Sequence, residues 1–202
     1  MIEIIEGRRE RKKRETRERI YETARQLFLE HGFAATTVEQ IAEAADIART
    51  TFFNYFQSKD AVLREMTSEV GDHLEAMLEE DLANPGTAIE RIERFSAGVI
   101  VGIGHAQNLA REVVLELLRT SSQPGDALPY FSRVYEPFTE ILRRGQLDGN
   151  VRRDLEPRLM AEMLIGTLNM ALVGWLNDQE YPFEKRLTQF TELIGELIRN
   201  PE

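Results

Sequence analysis

The side chains that ordinarily do covalent or metal chemistry are scarce in this 202-residue chain. It has no cysteine, which removes disulfides, thiolate nucleophiles, iron–sulfur clusters and Cys-bearing zinc sites. Its three histidines, His31, His73 and His105, stand far apart, and none sits in a Glu-x-x-His or His-Glu-x-x-His arrangement. No Gly-x-Ser-x-Gly elbow, phosphate-cradling Gly-Lys-Ser/Thr or dinucleotide fingerprint occurs, so no enzyme, cofactor or metal is expected. Positive charge, by contrast, is concentrated. Residues 1–19 hold eight bases (Arg8, Arg9, Arg11, Lys12, Lys13, Arg14, Arg17 and Arg19) against five acids, a composition suited to a polyanion.

Charge also divides the chain. Residues 1–65 carry 12 Lys+Arg and 12 Asp+Glu, while residues 66–202 carry 13 and 23, so the whole net charge of −10 falls on the last two thirds. Two functional parts are expected. Apolar content of 42% against 30% charge is globular, and no stretch is expected to serve as an apolar membrane span. The opening Met1-Ile2-Glu3-Ile4-Ile5-Glu6 has acids where a signal peptide has bases, so the expected location is the cytoplasm, away from membranes.

Helical periodicity runs almost throughout, which makes the expected fold all-α. Ile20, Ala24, Leu27, Phe28 and His31 share one face of a helix that Gly32 is placed to end. Thr36 and Thr37, with Glu39 and Gln40 three residues on, offer capping boxes for a short second helix that stops at Asp46. A third runs from about Ala48 to Tyr55 or Phe56, and Ser58 caps a long fourth that continues to Asn84-Pro85-Gly86. Thr87 and Glu90 box the next, which the glycines at 98, 102 and 104 should loosen. A helix follows over 108–120, then a loop at 121–125, a helix near 130–145 that Pro137 should kink, and two more over 157–177 and 183–199. Two short helices joined by a tight turn leave one free for a major groove, the helix-turn-helix arrangement.

Gln26-Leu27-Phe28 through Gly32-Phe33, Thr36-Thr37-Val38, Ile41-Ala42, Ala45-Asp46-Ile47 and Phe52-Phe53-Asn54-Tyr55-Phe56-Gln57-Ser58-Lys59-Asp60 resemble, in order and spacing, the DNA-binding domain of the TetR family of transcriptional regulators. The lead-in Gly145…Val151-Arg152-Arg153-Asp154-Leu155-Glu156-Pro157 is of a kind that often precedes that family's penultimate helix. The resemblance implies a basic N-terminal arm (1–15), a three-helix helix-turn-helix domain (16–62) and a larger helical effector-binding and dimerisation domain (63–202). It implies a ligand-responsive repressor, a homodimer on double-stranded DNA carrying an inverted repeat, released by a small apolar or aromatic effector. A helical regulator without an effector is the alternative.

The same resemblance assigns residues. Thr37, Tyr55 and Lys59 would meet phosphate, the first and last at helix starts; Arg49, Thr50, Thr51 and Asn54 would face bases, with Phe52 and Phe56 as core. Three positions depart from the family pattern: Asp46 stands for Gly in the turn, Ala48 for a capping Ser or Thr, and Phe53 for Tyr. In 183–198, Phe183, Leu187, Phe190, Ile194 and Leu197 recur every 3.5 residues, and helix 157–177 is apolar around much of its circumference, with Gly166 and Gly174 allowing close approach. The expected dimer interface is therefore Met163, Thr167, Ala171, Trp175, Leu187, Phe190 and Ile194. Effector-pocket candidates are Phe95, Val99, Leu117, Phe131, Tyr135, Phe138, Met163 and Thr167.

Overall fold

The computed structural model describes residues 7–105, 107–120, 129–178 and 180–200. Among these residues there are nine helices: α1 Arg8–His31, α2 Val38–Ala44, α3 Arg49–Phe53, α4 Lys59–Ala83, α5 Ala88–His105, α6 Gln107–Thr120, α7 Pro129–Leu147, α8 Pro157–Asn177 and α9 Phe183–Ile198. They contain no strand, only an isolated antiparallel bridge between Val151 and Arg199. The loop expected at 121–125 lies outside the described residues.

Local chemistry sets the boundaries. Gly32 ends α1 with φ at 82°, its N–H donating to the Phe28 carbonyl. Of the two candidate boxes before α2 the structure uses Thr37 with Gln40: the Gln40 N–H donates to Thr37 Oγ1 at 3.2 Å and the Thr37 N–H to Gln40 Oε1 at 2.8 Å. Thr36 is buried and donates back to the Gly32 carbonyl at 2.9 Å. Asp46 takes φ at 52°, the one positive φ among the described residues other than glycine, and Ala48 leaves α3 without a side-chain cap. Ser58 Oγ accepts the Ala61 N–H at 3.2 Å, and Thr87 and Glu90 box α5 at 2.7 and 3.3 Å.

Several expectations need correction. Residues 8–15 of the expected arm are helical, because α1 begins at Arg8. The third helix stops at Phe53; Asn54 and Tyr55 form a turn whose amides bond three residues back, to Thr51 and Phe52. The glycines do not interrupt α5, and Pro137 does not break α7. There the buried Val134, Phe138, Ile141 and Leu142, on an α7 packed along α8, outweigh the one backbone bond that proline cannot make. His31 lies in solvent rather than on the packed face. Finally, α8 is long and apolar enough to cross a membrane by length and composition, with mean hydropathy 1.5 over its best 18 residues, because it is apolar on more than one face.

The chain forms two compact units. The first holds residues through Met66 and the first half of α6, up to Val113. It ends four residues past the expected boundary at 62, since Leu63 and Met66 of α4 join Val62 in its core. Ile20, Ala24 and Phe28 of α1 are buried there, as are Ile41 and Ala42 of α2, Phe52 of α3, and Phe56. The second unit packs α5, α7, α8 and α9, with Phe95 of α5 edge-on to Phe138 of α7 at 5.0 Å between centroids.

In this second unit Gly145 is a point of close packing rather than a bend. A Cβ there would stand 2.5 Å from Val151 Cγ2 and 2.9 Å from Ala88 Cβ. Gly145→Ala is expected to cost about 1–3 kcal/mol through overpacking, read as a lowered urea midpoint with unchanged slope.

Candidate nucleic-acid interface and ligand cavity

The first unit places its polar residues around α3. Phe52, fully buried and 5.9 Å from the Phe56 ring, anchors the helix from below, as the spacing of four implied. Arg49, Thr50 and Asn54 are exposed, Thr51 and Tyr55 half-buried. Arg49 begins α3 and forms an ion pair with Glu39 of α2, Nε to Oε1 at 2.9 Å, with the guanidinium 5.6 Å from the exposed Phe53 ring. With Nε facing Glu39, its two terminal nitrogens keep donor capacity, the number a bidentate contact to guanine needs. Thr37 sits at the start of α2, its hydroxyl committed to capping the Gln40 amide while the Val38 and Glu39 amides before it have no acceptor among the described residues.

Lys59 is where the structure departs most from expectation. Its Nζ lies 2.7 Å from the Phe33 carbonyl, 2.9 Å from that of Thr36 and 3.4 Å from that of Ala34, and 4.4 Å from the centre of the Phe33 ring. An ammonium has three donors, so all are used. The side chain fastens the α1–α2 connection to the first turn of α4, and a direct phosphate contact would require giving up one of those bonds. Lys59→Met is therefore expected to lower the stability of the first unit by about 1–3 kcal/mol, seen as a drop in the urea midpoint.

Two cavities among the described residues of the second unit bear on the expected sites. One, about 20 Å³, is the size of a single water and is lined by Phe95, Phe138 and Thr167 of the expected pocket together with Leu187, Phe190 and Ile194 of the expected dimer interface. Those last three therefore face the protomer's own core, as does Ala171, which is fully buried. All of the regular repeat of α9 but Leu197 turns inward, on a helix packed against α5 and α8 of the same chain. Trp175 is half-buried with its ring 6.1 Å from Phe183, and Gly174 lies under the Tyr181 ring, so the close approach there is internal. Of the expected interface, Met163 stays exposed and Thr167 half-buried. Periodicity did not single out Met170 on α8 or Leu193 on α9, which are exposed along with Leu159 and Leu197, Met170 at 65% and Leu193 at 62%. Gly166 has nothing within 4 Å of where its Cβ would be.

The larger cavity, about 180 Å³, lies between α4 and α5. Met77, Leu78 and Phe95 form its apolar wall; Glu80, Asp81, Asn84, Arg91 and Arg94 form a polar rim that apolar patterning does not reveal. Asp81, nearly buried, receives Arg94 Nε at 2.5 Å and Nη2 at 3.1 Å. This hydrogen bonding raises the Arg94 pKa above its usual value. Arg91 clasps the end of α4 through the Asp81, Asn84 and Gly86 carbonyls. Of the remaining pocket candidates, Leu117 is buried, Val99 half-buried, Tyr135 stacked under the Arg158 guanidinium at 4.7 Å, and the Phe131 side chain lies outside the described residues.

Residues 20–66 match the family model for bacterial regulatory proteins of the tetR family. The chain is 30% identical over 187 residues to the transcriptional repressor DhaR of Mycobacterium sp. strain GP1, covering 90% of this chain and 91% of that one. Among solved structures it is similar to FadR of Bacillus subtilis in complex with stearoyl-CoA, at TM-score 0.68 and 25% identity over 90% of this chain and 99% of that one. It is also similar to FadR of Thermus thermophilus in complex with lauroyl-CoA, at TM-score 0.67 and 28% identity over 92% and 97%. With its helix-turn-helix unit, its wholly helical second unit and this likeness along nearly its full length, the chain belongs to the TetR family of transcriptional regulators.

Proposed function

We propose that the protein is a ligand-released repressor that binds an inverted-repeat operator as a homodimer and works in the cytoplasm, where the chromosome is. The observation that carries the reading is the short α3, anchored by Phe52 and presenting Arg49, Thr50 and Asn54 outward. Two copies of such a helix related by a two-fold axis meet successive major grooves, so the half-sites should be centred about one helical turn apart or a multiple of it. A protein panel of Thr50→Ala, Asn54→Ala and Arg49→Ala, tested against single-base operator variants, should lose about 1–3 kcal/mol each on the cognate site and less where the base it reads is changed. If all three left base preference untouched, α3 would not be the reading helix.

The dimer surface supported by the exposures is the face with Leu159, Met163, Gly166 and Met170 of α8 beside Leu193 and Leu197 of α9. Its apolar side chains would otherwise remain in water, a patch of the kind that marks an interface. Met170→Glu combined with Leu193→Glu should leave the protomer folded and yield monomers by sedimentation velocity, with operator affinity abolished. Unchanged dimers would reject this face.

The effector reading rests on the cavity between α4 and α5. At about 180 Å³ it exceeds the roughly 150 Å³ that holds benzene in an engineered apolar cavity. Its apolar wall and arginine-bearing rim suit an apolar body with an acidic head, and two similar structures hold acyl-CoA thioesters. Asp81 lies 22 residues after Lys59 on the same helix, about 33 Å of rise, so a ligand that shifts the end of α4 acts on the helix that the first unit grips. Only a ligand preferring the non-binding arrangement can release DNA. Lauroyl-CoA, stearoyl-CoA and the free acids, titrated against the operator complex, should show release by at least one class. No release by any would favour a regulator without an effector of this kind.

A further inference from the structure

Helix α1 begins twelve residues before the segment that matches the family model, and those residues carry most of the chain's clustered positive charge. Their arrangement is ordered. At about 100° per residue, Arg8, Lys12, Arg9 and Lys13 occupy one arc of roughly 140°, while Glu10 and Glu18 lie on the opposite side and Glu15 falls just outside the edge of the arc beside Arg8. Two of those acids are taken by bases on their own side, Glu15 by Arg11 at 3.4 Å and Glu18 by Arg14 at 3.7 Å. Among the described residues, Arg8, Arg9, Lys12 and Lys13 have no ion-pair partner, and all four are exposed.

This placement works against the helix's own stability. The first turns of a helix carry partial positive charge, which favours acids there and disfavours bases. The sequence nevertheless puts four cations that pair with no described residue within the first six residues of α1, a local conflict of the sort that marks function. The direction of the arc is fixed by Arg19, which falls within about 20° of Arg8 on the same helix and donates its Nε to the Ala45 carbonyl at 3.0 Å, in the turn between α2 and α3. Arg8 and Lys12 therefore lie within about 20° of the direction that meets the helix-turn-helix, and Arg9 and Lys13 turn from it toward the side of the buried Ile20 and Ala24, all about 9 to 16 Å of helix rise before Arg19.

We infer that this face, Arg8, Arg9, Lys12 and Lys13, is a second DNA-contacting surface that takes backbone phosphates flanking each half-site. The inference rests on the operator reading above and extends it outside the helix-turn-helix. One strand presents a phosphate for about every 3.4 Å of the DNA helix axis, so cations spread over about 7.5 Å of α1 can meet two of them. Such contacts carry no base information and act through counterion release.

The test uses the full chain and a duplex selected by the wild type from a random pool. That duplex is made in two forms, trimmed to the inverted repeat or extended by ten base pairs of arbitrary sequence on each side. The wild type should prefer the extended form and show the steeper fall of log K with log salt. R8Q/R9Q/K12Q/K13Q should abolish that preference and flatten the slope by about 0.9 for each phosphate it no longer neutralises, up to roughly 7 units for a dimer. Its ranking of single-base variants should not change. The charge-keeping set R8K/R9K/K12R/K13R should behave as wild type, which separates charge from any loss of helix. A neutralised protein that keeps both the wild-type slope and the flank preference overturns the inference while leaving the operator reading intact. A wild type that selects no duplex at all overturns the operator reading itself.

Discussion

One ammonium group organises the DNA-binding unit. The carbonyls of Phe33, Ala34 and Thr36, left over where α1 ends and α2 has not begun, converge on Lys59 Nζ. Backbone acceptors in such a connection must find donors, and here a single side chain from 23 to 26 residues away supplies them. The grip fixes the starts of α2 and α4, with their side-chain caps at Thr37 and Ser58, relative to each other. The Phe33 ring under the ammonium, itself edge-on to Phe28 at 5.1 Å, ties the same point to the buried core of α1.

Much of this unit can be read from residue order because its determinants are local. Thr37 and Gln40 are three residues apart and can only serve a helix start, Gly32 can only end one cheaply, and Phe52 and Phe56 share a face by spacing alone. Asp46 is readable as a left-handed turn residue because few other side chains tolerate that region. Lys59 is not readable in the same way, since a lysine at a helix start serves a phosphate or a distant carbonyl equally well and only the folded chain decides between them. The five-residue length of α3 likewise reflects tertiary packing of Phe56, not a breaker in the sequence.

The second unit shows the limit of periodicity. The 3.5-residue repeat in α9 correctly indicates a helix packed lengthwise on another, but cannot say whether that neighbour belongs to the same chain. The structure assigns Leu187 and Ile194 to their own core and leaves Leu193 and Leu197 outward. On α8 the same ambiguity is doubled, because both faces are apolar. Apolar spacing is equally blind to Asp81, Arg91 and Arg94, whose mutual pairing hides a charged rim behind a nearly neutral sum.

The Lys59 arrangement has a further consequence for reactivity. A lysine amine is acylated only where a reagent can reach it, and this one is half-buried with three carbonyl oxygens packed around its Nζ. Of the four lysines in the chain, Lys12, Lys13 and Lys185 are exposed and open to acylating reagents. Lys59 is chemically the quiet one, and its acylation marks molecules in which the α1–α2 connection has already come apart.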